Sequence, residues 1–584
     1  MERTARSALS TQPIPLGFIV LTAVVVHAPL LLMKLPLKSY DTNQQLFFAY
    51  HYLHDWWNPW NVKWFTGFSQ TTYPPLPQQW TAILAHICGL QYAYMLVQFM
   101  AIVLLAAGMY RFAAIWVNER AASFASLAVV LLGSESFLIY NAGQLATTWE
   151  AALYVLALPY LYEWLRFGGW RPFVKAVVLF AAASAAHDVI IIFGTAFWTF
   201  PLVALAIMER DKGEEKTTGS AVMARAVAIA VVSAAAIAVV LLPYWIDLFR
   251  YPVSQTPIPH ASRANYLLTP FWGTNYFLIP WGGLLLALPF IVWRGAHVRR
   301  LIPLLLGFWA CFLVGLGGTT PVALWLLHRA FYVLTFERVA YWAELLSLPI
   351  LGLLCSELVA RFRMKAVVPL VVLAAISCGL PIAWANYQPT NSINLDIQPV
   401  AEWLNRGGHD NYRYFTLGFG NNISRLSIET SANSVDGEWY SDRRLPELMK
   451  FGGGSLDNSK YFHPGGMEAL EAILRHADRY GLKWIFVHDP WYDPLLHFAG
   501  WRQVDQLEYG AIQVWSKEAV PPAHPMVFGV KPPAWQGIMW GTLPVGSSIL
   551  AFLLIFIPDK RRQAGAAEDA DADDETFVHE RLAS

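Results

Sequence analysis

The chain has 584 residues, of which 56% are hydrophobic, 15% aromatic and only 14% charged, against about 25% charged in an average soluble domain. Its 41 basic and 41 acidic side chains cancel to a net charge of zero, which excludes the overall basic field of a nucleic-acid binder. The four cysteines (Cys88, Cys311, Cys355 and Cys378) lie in or beside apolar segments, so they read as small buried residues rather than a disulfide framework.

Crossing a bilayer takes about 20 apolar residues. Runs of that kind lie near 14–33, 92–116, 121–140, 148–166, 172–187, 188–208, 222–246, 277–294, 300–317, 338–359, 366–385 and 537–557. The expected fold is therefore a polytopic α-helical membrane protein with about twelve transmembrane helices. The first run outlasts a signal-peptide core and no small-x-small cleavage site follows it, so it is expected to stay as an anchor. Residues 172–208 read as two short spans meeting near His187 and Asp188, with one span plus a re-entrant piece as the alternative. Two spans keep the basic loops in register. With Arg3 and Arg6 taken as cytoplasmic, the basic stretches at 111–120, 166–175, 210–225, 294–300, 361–365 and 560–562 all fall on one side. Both termini are then cytoplasmic, and the loops at 34–91, 247–277 and 315–337 face the periplasm or cell exterior across the inner (plasma) membrane of a prokaryote.

After a transmembrane domain at 1–385, the character changes at 386–535, where Asn, Asp and Gly become common and long apolar runs stop. Helical spacing at 399–406 and 467–480, with strand-like runs at 412–419, 482–489 and 510–517, predicts a small α/β extracytoplasmic domain. The middle strand is apolar enough for burial on both faces. A last transmembrane helix at 536–558 and a disordered acidic cytoplasmic tail at 559–584 complete the expected layout. There is no internal repeat, no HExxH, no CxxC pair and no GxSxG, and the FGGGS run at 451–455 lacks the context of a phosphate loop. Chemistry has to rest on carboxylates, histidines and arginines at the outer membrane surface.

The stretch from Lys34 to Trp80 is too polar and too rich in Trp, Tyr and Pro for lipid. Asp41 falls just beyond the first span, where an ionised carboxylate avoids the cost of full membrane burial. It reads either as a general base or as a cap on a helix at 42–54. His51, His54 and Asp55 are close enough on that helix to suggest a metal, although a solvated interfacial helix explains them equally. Trp56, Trp57, Trp60, Trp64 and Phe65 suit a headgroup belt, with sugar stacking open to one or two of them. Arg338 starts a span at its outer end and could hold a lipid phosphate through paired N–H donors, or merely pair with Glu337 or Glu344. His260, Arg263, His328 and Arg329 are weaker phosphate candidates. Glu150, His187 and Asp188 lie at or near span ends, and intramembrane ionisable groups point to function unless they only snorkel. In the soluble segment, Asp436, Glu438, Trp439, Tyr440 and Arg443 share one loop that reads as an acceptor contact or an ordered surface loop.

Asp41 after the first span, GFSQTTYPPL at 67–76, GLGGTTPVALW at 315–325, FERVAYW at 336–342 and DRYGLKWIFV at 478–487 together resemble the C-type (GT-C) membrane glycosyltransferases. Within that superfamily they resemble a group often, and misleadingly, labelled as 6-pyruvoyl-tetrahydropterin-synthase related. The resemblance implies a catalytic acidic residue in the first external loop, matched here by Asp41, and a donor sugar on a polyprenyl phosphate instead of a nucleotide. Some members hold a metal between that acid and acidic residues near the next external loop. That region here offers Gln144 and Glu150 without a DxD or ExD pair, so no metal or other cofactor is expected, a divalent ion being the unfavoured alternative. The expected activity is inverting transfer of a sugar from a polyprenyl-phosphate donor to an extracytoplasmic glycan, lipid or protein acceptor. Asp41 is the base in this scheme. Arg338, Arg263, His260 and His328 are expected at the donor phosphate, and Tyr73, Glu150, His187, Asp188, Trp439 and Tyr440 near the acceptor or substrate. Membrane lipid is the remaining partner, with no nucleic acid. A transporter or flippase for lipid-linked glycans and a non-catalytic assembly factor are the alternatives, the former opposed by the lack of repeats and of Gly/Pro-broken midplane helices.

Overall fold

A computed structural model describes residues 12–211, 216–250, 260–387, 393–451, 454–462 and 464–557. Arg3, Arg6, the acidic tail at 559–584, the basic stretch at 560–562, part of the loop at 247–277 and part of the FGGGS run lie outside the described residues.

Among the described residues, seven helices are long and apolar enough to cross a membrane: Leu90–Trp116, Glu119–Ala142, Ile190–Met208, Gly219–Val240, Glu337–Phe362, Met364–Trp384 and Ala534–Ile555. The pair Pro270–Trp281 and Leu284–His297 qualifies jointly as one span bent by 64°. Its bend falls at Gly282 and Gly283, where a Cβ would lie 2.9 Å from Ser377 Cα and 2.7 Å from the Leu373 carbonyl. The other expected spans are helical but fall short of twelve equal crossings. Leu16–Leu32, Trp170–Ala186 and Ile302–Gly315 have 17, 17 and 14 residues, and Leu145–Phe167 carries Glu150, Glu163 and Arg166.

The chain does break near His187. Helix Trp170–Ala186 ends there in extended backbone (φ −161°, ψ 159°), and a π-helical turn, Ile190–Gly194, opens the next helix. The basic loops meet at one end of the bundle, as the alternation of charge predicts. Arg300 pairs with Glu209 at 3.0 Å and donates to the Ile115 carbonyl at 2.6 Å. Arg225 donates to the Leu165 and Arg166 carbonyls, Lys175 to that of Ile557, and Arg294 pairs with Glu357.

At the other end, the first loop forms helix Thr42–His54 and a short antiparallel pair, β1 (Trp60–Asn61) and β2 (Phe68–Ser69). Above it lies a four-stranded sheet of order β3-β4-β6-β5, with β3 Arg413–Leu417, β4 Leu482–Val487, β5 Arg502–Leu507 and β6 Ile512–Ser516. β3 and β4 are parallel and the other pairings antiparallel. Three strands fall where the hydrophobic pattern puts them. β5 does not announce itself, because RQVDQL is an edge strand exposed along nearly its whole length and so carries no apolar alternation. The helix read at 467–480 breaks at His476 into Gly465–Arg475 and Ala477–Tyr480.

The aromatic residues of the first loop correct the headgroup-belt expectation. Trp64 and Phe65 are fully buried and join Phe47, Phe48 and Phe68 in one core with Leu417, Val435 and Leu474 of the sheet layer. Phe47 stacks on Trp64 at 3.8 Å, the Trp64 indole donates to Ser427 Oγ at 2.8 Å, and a Cβ on Gly437 would strike the indole at 2.5 Å. Trp60 is buried as well, and Trp56 donates to the Gly541 carbonyl of the last apolar helix. Trp57 alone of the five stays exposed. The loop looks interfacial in sequence because it is aromatic, but those rings glue the sheet layer to the helices.

Candidate active site

Between the helices and the sheet layer lies a cavity of ≈ 1270 Å³ lined by both. Its first fixed point is Asp41. The backbone N–H groups of Tyr40 and Asp41 donate to the carbonyls of Asn141 and Ala142 at 3.1 and 2.9 Å, so the loop is laid against the end of the span Glu119–Ala142. Gly143 makes that approach feasible: it has φ 72°, and a Cβ there would lie 2.4 Å from Ser39 Oγ and 2.7 Å from the Thr42 nitrogen. Asp41 precedes helix Thr42–His54 yet its side chain caps nothing, and among the described residues its carboxylate accepts no hydrogen bond. It faces the cavity instead. Burial raises the Asp41 carboxyl to about 6, with Arg338 holding the rise down and Glu337 adding to it.

Arg338 is the second fixed point. Its Nε donates to Gln144 Oε1 at 2.9 Å, while Gln144 Nε2 donates to Glu337 Oε1 at 2.9 Å. The amide therefore holds cation and carboxylate in place separately. Glu344 is occupied elsewhere, accepting from Ser134 at 2.8 Å. Nη1 of Arg338 lies 3.4 Å from His187 Nε2. His187 Nδ1 accepts the backbone N–H groups of Asp188 and Val189 at 3.0 and 3.2 Å, and a neutral ring used that way carries its proton on Nε2. Two donors then converge on one spot of the cavity wall, an arrangement that suits an anion.

Of the residues expected at the site, Asp41, Arg338, His260, Tyr73, His187, Asp188, Trp439 and Tyr440 line this single cavity, as does Arg329. Tyr73 packs edge-on against both His187 and Trp439, at 5.8 and 4.9 Å, joining the two walls. Asp188 accepts from the Tyr244 hydroxyl at 2.9 Å. Three expected residues are absent from the lining. Glu150 lies behind the wall, where Oε1 accepts the N–H groups of Ile190 and Ile191 at 2.7 and 3.4 Å and so caps the helix that starts after the His187 break. Arg263 turns its Nε to the Leu334 carbonyl at 2.9 Å. His328 sits at the end of the short helix Val322–Leu327 with a positive φ of 46°, a turn position.

The metal cluster imagined in the first loop is used up internally: His51 Nε2 contacts the Asn58 carbonyl at 2.7 Å, His54 Nδ1 that of Tyr50 at 2.8 Å, and Asp55 accepts from Asn58 at 2.7 Å. No group of three or more His, Cys, Asp or Glu side chains arranged to hold a metal ion occurs among the described residues. In the 436–443 loop, Asp436 and Arg443 point into the sheet layer, accepting from the Asp457 N–H and donating to the Gly454 carbonyl. Sequence reasoning passed over Tyr40, Asn421, Asp247 and Arg444, all in the lining. Asn421 and Arg444 come from loops brought over Asp41 only by the seating of the sheet layer, and nothing local in the sequence marks them.

No family profile and no curated protein matches the chain. Solved structures do. A structure of ArnT from Cupriavidus metallidurans bound to undecaprenyl phosphate is 12% identical with a TM-score of 0.53, over 87% of this chain and 99% of that one. The apo oligosaccharyltransferase of Archaeoglobus fulgidus gives 13% identity and a TM-score of 0.52, over 83% and 70%. The arabinofuranosyltransferase AftD from Mycobacteria gives 15% and 0.50, over 88% of this chain, which spans 40% of the length of that protein. By these similarities the chain has the GT-C fold.

Proposed function

We propose that the protein is an inverting glycosyltransferase that moves a sugar from a polyprenyl-phosphate donor to an acceptor hydroxyl, with Asp41 as general base. The observation that carries this reading is the Asp41 carboxylate, held on the cavity wall by backbone pairing, capping nothing, and raised to about 6 beside Arg338. A base with that affinity is largely ionised at neutral pH yet still takes up a proton readily. The acceptor oxygen attacks the anomeric carbon and passes its proton to Asp41. The bond from that carbon to the phosphate oxygen breaks, and the phosphate leaves with the electron pair, stabilised by Arg338 and His187. One displacement inverts the anomeric centre.

The cavity suits such a donor. Beside Arg338 and His187 its lining includes Ile192, Phe193, Leu248, Tyr332 and Val333, and Ile192, Tyr332 and Val333 are each about half exposed, as an apolar wall open towards lipid would be. The similarity to ArnT, whose structure holds undecaprenyl phosphate, supports the same class of donor. The basic end of the bundle then faces the cytoplasm and the cavity the outer side of the plasma membrane. The test is transfer of labelled sugar from purified polyprenyl-phosphate donors by protein in lipid nanodiscs. Asp41→Asn should fold, insert and bind the donor but not transfer; unchanged transfer would remove Asp41 as the base.

A further inference from the structure

The cavity's helical wall carries donors together with an open acceptor, Glu337 Oε2, which has no hydrogen-bond partner among the described residues. On the helical side the converging groups, Arg338 and His187, are donors. On the wall made by the first loop and the sheet-layer loops, the open groups are acceptors. Glu438 and Asn421 line the cavity with only 6% and 3% of their surface exposed, yet Glu438 Oε1 and Asn421 Oδ1 have no hydrogen-bond partner among the described residues. The Asn421 amide is not free to turn, because its Nδ2 donates to the Tyr40 and Ser39 carbonyls. That contact sets its oxygen next to the chain segment that carries Asp41. Arg444, the cation on this wall, is paired with Asp442 at 3.0 Å.

An acceptor left unpaired in the interior is costly, and two such groups on one wall imply a ligand that brings donors. Trp439 supplies a flat apolar surface next to them. Its indole N–H donates to Thr72 Oγ1 at 2.9 Å and its ring rests against Tyr73, so the ring is fixed before any ligand arrives. Burial, reinforced by the charges of Asp457, Asp436 and Asp41, holds Glu438 well above the usual carboxylate range. A carboxyl that resists ionisation matches a neutral hydroxyl better than an ammonium group.

We propose that this wall is the acceptor subsite, that the acceptor is a carbohydrate, and that Glu438 and Asn421 receive hydroxyls next to the one that Asp41 deprotonates. The inference rests on the transferase reading and narrows its acceptor class. A sugar ring fits because it offers several hydroxyl donors at fixed spacing around an apolar face, which is the complement of Glu438, Asn421, Asp41 and the Trp439 ring.

The test is calorimetric titration of the full chain in nanodiscs with three kinds of probe: a panel of free pentose and hexose oligosaccharides, a hydroxyl-bearing peptide, and undecaprenyl phosphate. Wild-type protein should bind at least one oligosaccharide saturably. Glu438→Ala should weaken that binding by about tenfold, Glu438→Gln, which keeps a neutral acceptor oxygen, by less, and undecaprenyl phosphate should bind all three proteins alike, which also shows that the variants are folded. Oligosaccharide affinity unchanged in Glu438→Ala, absence of oligosaccharide binding in a wild-type protein that takes undecaprenyl phosphate, or peptide binding that depends on Glu438 would each overturn the inference and leave the transferase reading standing. Failure of wild-type protein to bind undecaprenyl phosphate would instead count against the transferase reading, and this inference would fall with it.

Discussion

The two ends of the helical bundle use charge in opposite ways. At the basic end Arg300, Arg225, Lys175 and Arg294 are each taken up by a carboxylate or a backbone carbonyl of a neighbouring helix, so charge there locks loops together. At the cavity end, among the described residues, Asp41 caps nothing, Glu438 keeps an unpartnered oxygen, and Arg338 is held by an amide rather than neutralised by a carboxylate. Polar groups left open inside a protein are destabilising. The contrast therefore separates charge that builds the fold from charge kept for a ligand, and it does so without reference to any relative.

Substitutions at the two ends should break or sharpen that contrast. The largest effect is expected from Asp41→Asn, a loss of roughly 10²- to 10⁴-fold in transfer with the melting temperature unchanged or raised, since the side chain is partly exposed to the cavity and caps nothing. A stability loss matching the loss in rate would make Asp41 a structural residue. Gly143→Ala comes next. The left-handed backbone costs an alanine roughly 1–2 kcal/mol, and its Cβ would press on Ser39 and Thr42. Displacing Asp41 by even a fraction of an ångström should slow turnover by up to about 10²-fold while donor binding persists, and a variant with normal turnover would show that the Gly143 contact does not place the base.

Arg338→Ala should weaken undecaprenyl phosphate binding by about ten- to a hundredfold, the usual loss for a hydrogen bond to a charged group, and leave acceptor affinity nearly intact. Equal loss for both would take Arg338 off the phosphate. The pH profile tests Asp41 more gently. Because a base works only when ionised and this carboxyl titrates near 6, kcat/KM should be flat above that pH and fall about tenfold per unit below it; a flat profile down to pH 5 would contradict the assignment. Least of all is expected at the basic end, where Arg294→Ala removes a pair with Glu357 worth roughly 0–1 kcal/mol. Transfer should not change, and a measurable loss of activity would blur the distinction between the two ends.

Much of this was legible in the chain. Apolar runs mark the helices, alternating basic loops mark the end at which they meet, and β3, β4 and β6 stand out because large apolar residues predominate in each. Asp41 stood out because it falls beyond the first span at the membrane boundary, where a carboxylate can stay ionised, and because it matches the first-loop acid of the family the chain resembles. Glu150 and Asp188 could not be told apart by the same rule, since one caps a backbone behind the wall and the other stands in it. The aromatic loop misled for a related reason: Trp64 and Phe65 are as suitable for a membrane surface as for a protein core, and only the presence of the sheet layer decides.

The sequence by itself determined roughly where the apolar helices lie, which loops carry positive charge, and that an acid follows the first anchor, because each of these depends on residues near one another along the chain. What the tertiary structure alone decided is the site. Asp41, Gln144, His187, Arg338, Asn421 and Glu438 are separated by tens to hundreds of residues, and each acquires its role from partners brought by another element: the Asn141 carbonyl beneath the loop, the amide between Glu337 and Arg338, the sheet layer closing the far wall. Burial and hydrogen-bond satisfaction are properties of that assembly, and no local pattern encodes them.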